Sequence, residues 1–460
     1  MYIQQLYTGC LSEAAYYIES EGEAAIIDPL RETAPYTEIA NQRNVKIKYV
    51  FETHFHADFV SGHIDLAAKT GAKIIFGPYA HPAYKAVIAK ENEVFTIGKI
   101  KIKVLHTPGH TLESSCYLLF DENDKPNAIF TGDTLFVGDV GRPDLSQKSD
   151  LTKNDLAGMM YESLKKLKAL PNDVIVYPAH GAGSACGKNI GKETFSTIGK
   201  QKESNYALQS ITKEAFITAV TEGLSAPPNY FFMDAKINMS GYENIDDVMT
   251  KNTQALSVNE FEKEIQQGAQ ILDVRNSEDF EKGFVKSAVN IGLNGQYAPW
   301  VGALINPDIP IILVADENKE EEAVLRLARV GYENVKGYLK GGILAWEKAA
   351  KPIEKIKCVD AETFVKSIRE KNNFQILDVR NPGEHDTGIV ENAIPVPLSE
   401  LYEKIPVLEK NQTYYVYCAG GYRSMMASSI LKKHGFDNIV NIYGGISKIK
   451  LCGISLVQPV

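Results

Sequence analysis

Six short stretches of this chain carry residue types that could do chemistry. The first is Thr53-His54-Phe55-His56-Ala57-Asp58-Phe59, which sets two imidazoles and a carboxylate two residues apart. Residues so spaced on an extended loop can converge on one point, and imidazole suits zinc and iron alike. Three later stretches add one candidate ligand each: His110 in Thr107-Pro108-Gly109-His110-Thr111, Asp133 in Thr131-Gly132-Asp133-Thr134, and His180 in Tyr177-Pro178-Ala179-His180-Gly181. Gly-rich turns often hold a His or Asp that bonds only its own backbone. Four such turns in one region, each offering a metal-binding group, point instead to a bound metal. Cys186, in Gly181-Ala182-Gly183-Ser184-Ala185-Cys186-Gly187, is a candidate sulfur carrier or a small buried thiol. The sixth stretch is Cys418-Ala419-Gly420-Gly421-Tyr422-Arg423-Ser424. A cysteine delivered by a strand into a tight loop that opens a helix meets backbone N–H groups, the helix N-terminus and, here, Arg423, all of which favour thiolate.

The elements that position these residues are readable around them. Val45-Lys46-Ile47-Lys48-Tyr49-Val50-Phe51 alternates and is β-branched, so a strand leads into the His54 loop, and a helix ending at Gly71 follows it. Short apolar strands recur at 24–27, 73–76, 101–104, 116–120, 128–130 and 174–177, with a helix over 156–170 that stops at Pro171. Each of the three later turns follows a strand. The pattern predicts two sheets with helices outside, an α/β sandwich over residues 1–245. Arg142 near the Asp133 turn reads equally as a bidentate site for a substrate carboxylate or as a structural pair with Asp139 or Asp144. Residues 225–231, Ser-Ala-Pro-Pro-Asn-Tyr-Phe, form a rigid aromatic turn, and 238–253 reads as a polar linker.

Beyond the linker the chain repeats itself. Ile271-Leu272-Asp273-Val274-Arg275-Asn276 returns 105 residues later as Ile376-Leu377-Asp378-Val379-Arg380-Asn381. A helical pattern precedes each copy (258–267 and 361–371), and each later reaches a Gly-Gly-Ile turn, at 341–343 and 444–446. Strands alternate with helices in both, which predicts two small parallel α/β domains, 255–350 and 356–460. The first copy reads Val314-Ala315-Asp316-Glu317 where the second has its cysteine loop, and its acidic side chains would repel a thiolate. We read it as catalytically silent, an architectural spacer.

At 460 residues the chain accommodates roughly three domains of about 150 residues. Its 44% hydrophobic and 23% charged content is that of globular protein. A net charge of −9 with no basic run argues against nucleic acid, and no apolar run of about 18 residues argues for a membrane span. Six scattered cysteines without a C-x-x-C pair fit a reducing cytoplasm, and no signal-peptide pattern opens the chain.

Residues 1–200 resemble the metallo-β-lactamase fold family, whose H-x-H-x-D, P-G-H-T, T-G-D and P-A-H-G motifs occur here in order. That resemblance implies an αββα sandwich. The family's loop runs H-x-H-x-D-H; here the last position is Phe59, which removes an imidazole serving a second metal. Within the family the mononuclear persulfide dioxygenases are the best likeness. They imply one Fe(2+) per chain on His54, His110 and Asp133, with His56, Asp58 and His180 beside it as neighbours or further ligands. Whether His56 coordinates stays open. Phe59 then keeps the substrate side apolar. Residues 255–455 resemble two rhodanese domains, the second with Cys418 as the persulfide-holding nucleophile and Arg423 beside it. The joint implication is oxidation of a small-thiol persulfide by O2 to sulfite, then sulfur transfer from Cys418 to sulfite giving thiosulfate, in sulfide detoxification. The alternative is a glyoxalase II-like thioester hydrolase with a binuclear site, fused to a sulfur carrier. A homo-oligomer is expected from the silent repeat.

Overall fold

The computed structural model describes the chain except residues 146–150, 210–211, 225, 371–372 and 459–460, so Ser225 of the aromatic turn and Lys371 of the second repeat's helix lie outside the described residues. The chain divides into two compact units, Met1–Val248 with Leu327–Tyr332, and Met249–Arg326 with Glu333–Val460.

The first unit is built on two six-stranded sheets. One runs, edge to edge, Tyr2–Thr8, Glu13–Ser20, Glu23–Ile27, Lys46–Glu52, Lys73–Phe76, Val87–Ile88. The other runs Ser196–Thr197, Ile175–Pro178, Pro126–Gly132, Ser115–Phe120, Ile100–His106, Val94–Ile97. Alternation along the strands supplies one inward face per sheet, as period-two patterning requires. Tyr16, Ile18, Ile27, Phe51 and Ile75 of the first sheet meet Ile102, Val104, Tyr117, Leu119 and Phe130 of the second in one core. The outer faces are apolar too and are covered by helices. Tyr36, Ala40 and Leu66 pack on the first sheet, and Ala157, Met160, Leu164, Leu167 and Phe216 on the second. The fold is the expected αββα sandwich.

The polar linker expected at 238–253 is helical: Phe231–Ser240 and Ile245–Asn252. Asp246, Asp247 and Lys251 are exposed as a polar stretch would be, but not every polar residue is. Asn238 is buried and spends its amide on the backbone of the metal-motif loop, described below.

In the second unit each repeat forms a five-stranded parallel sheet of the same order. The first sheet runs Ala255–Leu256, Val335–Leu339, Ile311–Val314, Gln270–Asp273, Val289–Asn290, and the second runs Lys357–Val359, Ile439–Ile442, Tyr414–Tyr417, Gln375–Asp378, Ala393–Pro395. The repeated Asp and Arg have one job in both copies. Arg380 grips buried Asp378 through Nε and Nη2 and donates to Gly388 O at 2.8 Å; Arg275 does the same with Asp273 and with Gly283 O at 2.9 Å. Removing one partner of such a pair strands a buried charge. Arg380→Ala is therefore expected to lower the stability of the second unit by about 3–5 kcal/mol, read from the urea midpoint of the full chain.

Candidate metal centre and cysteine loop

The four strand-end turns converge. Strands Lys46–Glu52, Ile100–His106, Pro126–Gly132 and Ile175–Pro178 deliver His54, His110, Asp133 and His180 from their C-terminal ends. The sheets must approach closely there, and Gly132 (φ +50°) permits it: a Cβ at that position would stand 2.5 Å from Thr53 Oγ1. His54, His110 and Asp133 each offer a ligand atom within 4.8 Å of the others, and all three are buried. His110 Nε2 lies 3.3 Å and His54 Nε2 3.9 Å from Asp133 Oδ2.

The rings are aimed by bonds to their far nitrogens. His110 Nδ1 bonds Arg142 O at 2.8 Å and His180 Nδ1 bonds Ser12 O at 3.2 Å. Carbonyls only accept, so both rings carry the proton on Nδ1 and turn a bare Nε2 inward. His54 Nδ1 sits 3.0 Å from Thr53 Oγ1, whose own proton goes to Asp28 Oδ2 at 2.8 Å, so this ring too donates from Nδ1. Burial and the neighbouring imidazoles His56, His110 and His180 push the His54 pKa well down, which keeps it neutral. Both oxygens of Asp133, one of Asp58, and His180 Nε2 are buried with no hydrogen-bond partner. A carboxylate without donors in a dry site needs a cation. These residues fit a metal ion, and the two-His-one-carboxylate set fits iron as well as zinc.

The remaining candidates fall around this core. His56 Nε2 is 3.1 Å from Asp28 Oδ1 and 3.9 Å from Glu52 Oε2. Burial disfavours a charge on His56, but Asp28, then Glu52, push its pKa up to about 9. His56 also groups with Asp58 and His180, His180 Nε2 lying 3.4 Å from Asp58 Oδ2 and 3.5 Å from Asp133 Oδ1. Phe59 is fully buried, its ring 4.3 Å from the His56 ring centroid to centroid. Arg142, a candidate carboxylate binder, already holds Asp144 through Nε at 2.7 Å and Nη2 at 2.8 Å. Of its two readings the structure displays the ion pair, and its nearer contribution to the site is the carbonyl that aims His110. Asp139 instead accepts the backbone N–H groups of Lys188 and Asn189, at 2.8 and 2.6 Å, and so anchors the Gly-rich loop. Cys186 lies in a group with Asp133 and His180; burial, then Asp58 and Asp133, push its thiol well up.

Several contributors carry no motif. Asn238 Nδ2 donates to both His56 O and Phe59 O at 2.8 Å, and its Oδ1 accepts the Ser61 N–H at 2.9 Å, so one amide ties the whole loop. Tyr230, buried, feels both Asp58 and Cys186 electrostatically. Asp28 follows a strand like the recognised turns do, and that placement was the available signal for it. Asn238 and Ser12 act on or through backbone, which leaves no sequence signature.

In the second unit, Cys418 is buried at the end of strand Tyr414–Tyr417 and before helix Tyr422–Lys433. Gly421 N–H donates to Cys418 Sγ at 3.1 Å, and Ser424 Oγ lies 3.7 Å from it. Arg423 is paired with Glu384, at 2.5 and 2.9 Å, rather than with the sulfur. The Gly-Gly-Ile turn braces the loop from behind: Ile446 N–H donates to Cys418 O at 2.8 Å, and a Cβ on Gly445 would lie 2.1 Å from that oxygen. The strand register aligns Asp273 with Val314 and Asp378 with Tyr417, which puts Ala315 at the position of Cys418 in the first repeat.

Residues 8–180 match the Metallo-beta-lactamase superfamily, and residues 257–349 and 361–452 each match the Rhodanese-like domain. A hydroxyacylglutathione hydrolase of Pelagibacter ubique is 30% identical over 183 residues, 37% of this chain and 68% of that protein. The chain belongs to the metallo-beta-lactamase superfamily. A second hydroxyacylglutathione hydrolase, of Brucella anthropi, is 40% identical over 143 residues, 30% of this chain, and only about half of that protein (49%) is spanned. A crystal structure titled metallo-beta-lactamase from Staphylococcus aureus superposes with a TM-score of 0.65 at 33% identity, over 74% of this chain and 98% of that one. The superfamily domain is followed by two rhodanese-like domains.

Asp133→Ala removes the carboxylate shared by the surrounding imidazoles. It is expected to leave less than about one-tenth of the wild-type metal content after dialysis, by elemental analysis. Asn238→Ala is expected to weaken metal retention as well, although it touches no ligand atom, because it frees the loop that carries His54.

Proposed function

We propose that the chain oxidises the persulfide of a small thiol with O2 at one ferrous ion and passes a second sulfane sulfur from Cys418 to the sulfite formed. The first reaction is R–S–SH + O2 + H2O → R–SH + sulfite dianion + 2 H⁺. His54, His110 and Asp133 would hold the metal, which when bound supplies a Lewis-acidic redox centre with open positions. The other residues have distinct tasks. Thr53, Arg142 O and Ser12 O keep three imidazoles in the tautomer that ligation requires. His56 is held by Asp28 and Glu52. Phe59, against His56, makes that wall apolar, which suits a sulfur atom better than an activated water.

The observation that carries this reading is the pairing, in one chain, of a metal site whose sixth motif position is a buried phenyl ring with a cysteine set to accept sulfur. Cys418 receives the Gly421 N–H, and Ser424 stands beside it. A thiolate there attacks the outer sulfur of R–S–SH. The S–S bond of the donor breaks, R–S⁻ leaves, and Cys418–S–SH forms. Sulfite then takes the outer sulfur as thiosulfate, returning the Cys418 thiolate and one proton to water. Fusion raises the local concentration of one site's product near the other. Six free cysteines suit a reducing compartment, and the cytoplasm is the compartment proposed. Among the described residues no helix is long and apolar enough to cross a membrane.

A second reading has its own support. The curated relatives reported above are named hydroxyacylglutathione hydrolase, and His56, Asp58 and His180 form a further buried group of possible ligands. A thioester hydrolase would use a metal-activated water, as binuclear zinc enzymes do. Metal analysis with an oxygen electrode separates the two. One iron per chain and oxygen uptake with a small-thiol persulfide support the dioxygenase; two zincs and thioester cleavage without oxygen uptake support the hydrolase. Cys418→Ser is expected to keep oxygen uptake while the product shifts from thiosulfate to sulfite, and unchanged thiosulfate would contradict the division of labour.

A further inference from the structure

The silent repeat does more than fill space beside Cys418. A pocket of about 340 Å³ opens over the cysteine loop. Cys418, Tyr422, Arg423 and Glu384 of the second repeat line it, and so do Gln296 and Trp300 of the first. Gln296 immediately precedes helix Tyr297–Leu304 and Trp300 lies in its first turn, directly after the loop that contacts the active copy. Tyr422 Oη donates to Gly292 O at 2.7 Å, and a Cβ on Gly295 would come within 2.4 Å of the Tyr422 ring. Further along the same helix Met425 is buried in the silent copy's own core, and Asn290 N–H donates to Ser429 Oγ at 3.0 Å. Positions 422, 425 and 429 fall on one helical face. The silent repeat therefore holds the active helix from its first turn and meets the pocket at a fixed distance from the sulfur.

The wall is chemically unlike the floor. Around Cys418 the site offers a backbone N–H and the Arg423 guanidinium, the latter already paired with Glu384. Trp300 adds a half-exposed aromatic face, and Gln296 an exposed amide that can donate and accept. The volume lies at the lower end of the ~300–1,000 Å³ that holds organic ligands, more room than thiosulfate or sulfite fills. We propose that Trp300 and Gln296 of the silent repeat bind the organic part of the sulfur donor, and that this donor is the persulfide of a small thiol carrying amide groups. The inference rests on the sulfurtransferase reading of Cys418 and adds who presents the sulfur. The step is the one written above: the thiolate takes the outer sulfur, and R–S⁻ leaves along the Trp300 wall.

The test uses the full chain without oxygen, so that the other half-reaction cannot consume the donor. Glutathione persulfide with sulfite as acceptor is compared with thiosulfate with cyanide as acceptor. Trp300→Ala, and separately Gln296→Ala, are expected to lower the ratio of kcat/KM for glutathione persulfide to that for thiosulfate by about tenfold, chiefly through KM. A ratio unchanged in both variants, or both donors falling in proportion, would overturn the wall while leaving the sulfurtransferase in place. Failure of the unaltered chain to transfer sulfur from either donor would overturn both. Gln296 is exposed, so its variant tests the idea even should Trp300→Ala not fold.

Discussion

The first unit is organised by one electrostatic constraint: Asp133 is buried with neither oxygen hydrogen-bonded, amid imidazoles whose inward nitrogens are bare. Burying a carboxylate in this state is unfavourable by several kcal/mol without a compensating charge. Each structural feature near it can be understood as arranging groups for a cation. Two sheets are brought together at Gly132, far nitrogens are pinned by carbonyls and a threonine, and the His54 loop is tied down by a distant amide. His56 lies between two groups of acids and imidazoles, Asp28 with Glu52 on one side and Asp58 with His180 on the other. The sandwich supplies rigid strand ends, and the turns supply the chemistry, which is how a general fold comes to host a particular site.

Much of this was legible in the sequence because it is local. Strand periodicity located most strands of the sandwich, and the four turns declared themselves by Gly and Pro next to His or Asp. The two repeats were visible through one hexapeptide, and its Asp and Arg proved to be a buried pair with the same partners in both copies. What was illegible is non-local or backbone-borne. Asn238 lies in a stretch whose polarity reads as solvated, yet it closes hydrogen bonds some 180 residues away. Arg142 was legible as a cation but not as the owner of the carbonyl that aims His110. Its guanidinium met a carboxylate two positions along, an outcome that the pattern left level with substrate binding. Arg423 likewise was expected to face the sulfur, and its ion pair with Glu384 depends on how the two loops meet in space.

The two rhodanese-like repeats make a controlled comparison within one chain. They share strand order, the Asp–Arg pair and the carbonyl it reaches, and they differ in the loop after the neighbouring strand, which begins Ala315-Asp316-Glu317 in one and Cys418-Ala419-Gly420 in the other. The pair holds the strand end in both copies, while the loop after the neighbouring strand carries a thiol in only one of them. A cavity of about 1050 Å³ persists at the corresponding loop of the first repeat, lined by Asp316, Glu317, Glu320 and Glu321 and also by Arg275, Lys282 and Lys340.

The first repeat, with Ala315 in place of a cysteine, is packed against the cysteine loop of the second. A helix of the active copy places Met425 in the silent copy's core and its first residue against Gly292 and Gly295, so the two copies share one packing problem. Close packing tolerates little slack, and a shift of the 292–296 loop would move Tyr422, one residue after the Gly421 N–H that meets the sulfur. The first repeat thereby helps to set the position of the cysteine loop in the second. The atoms that seat the helix, at Gly292 and Gly295, and those that line the pocket, at Gln296 and Trp300, lie within one short stretch of chain.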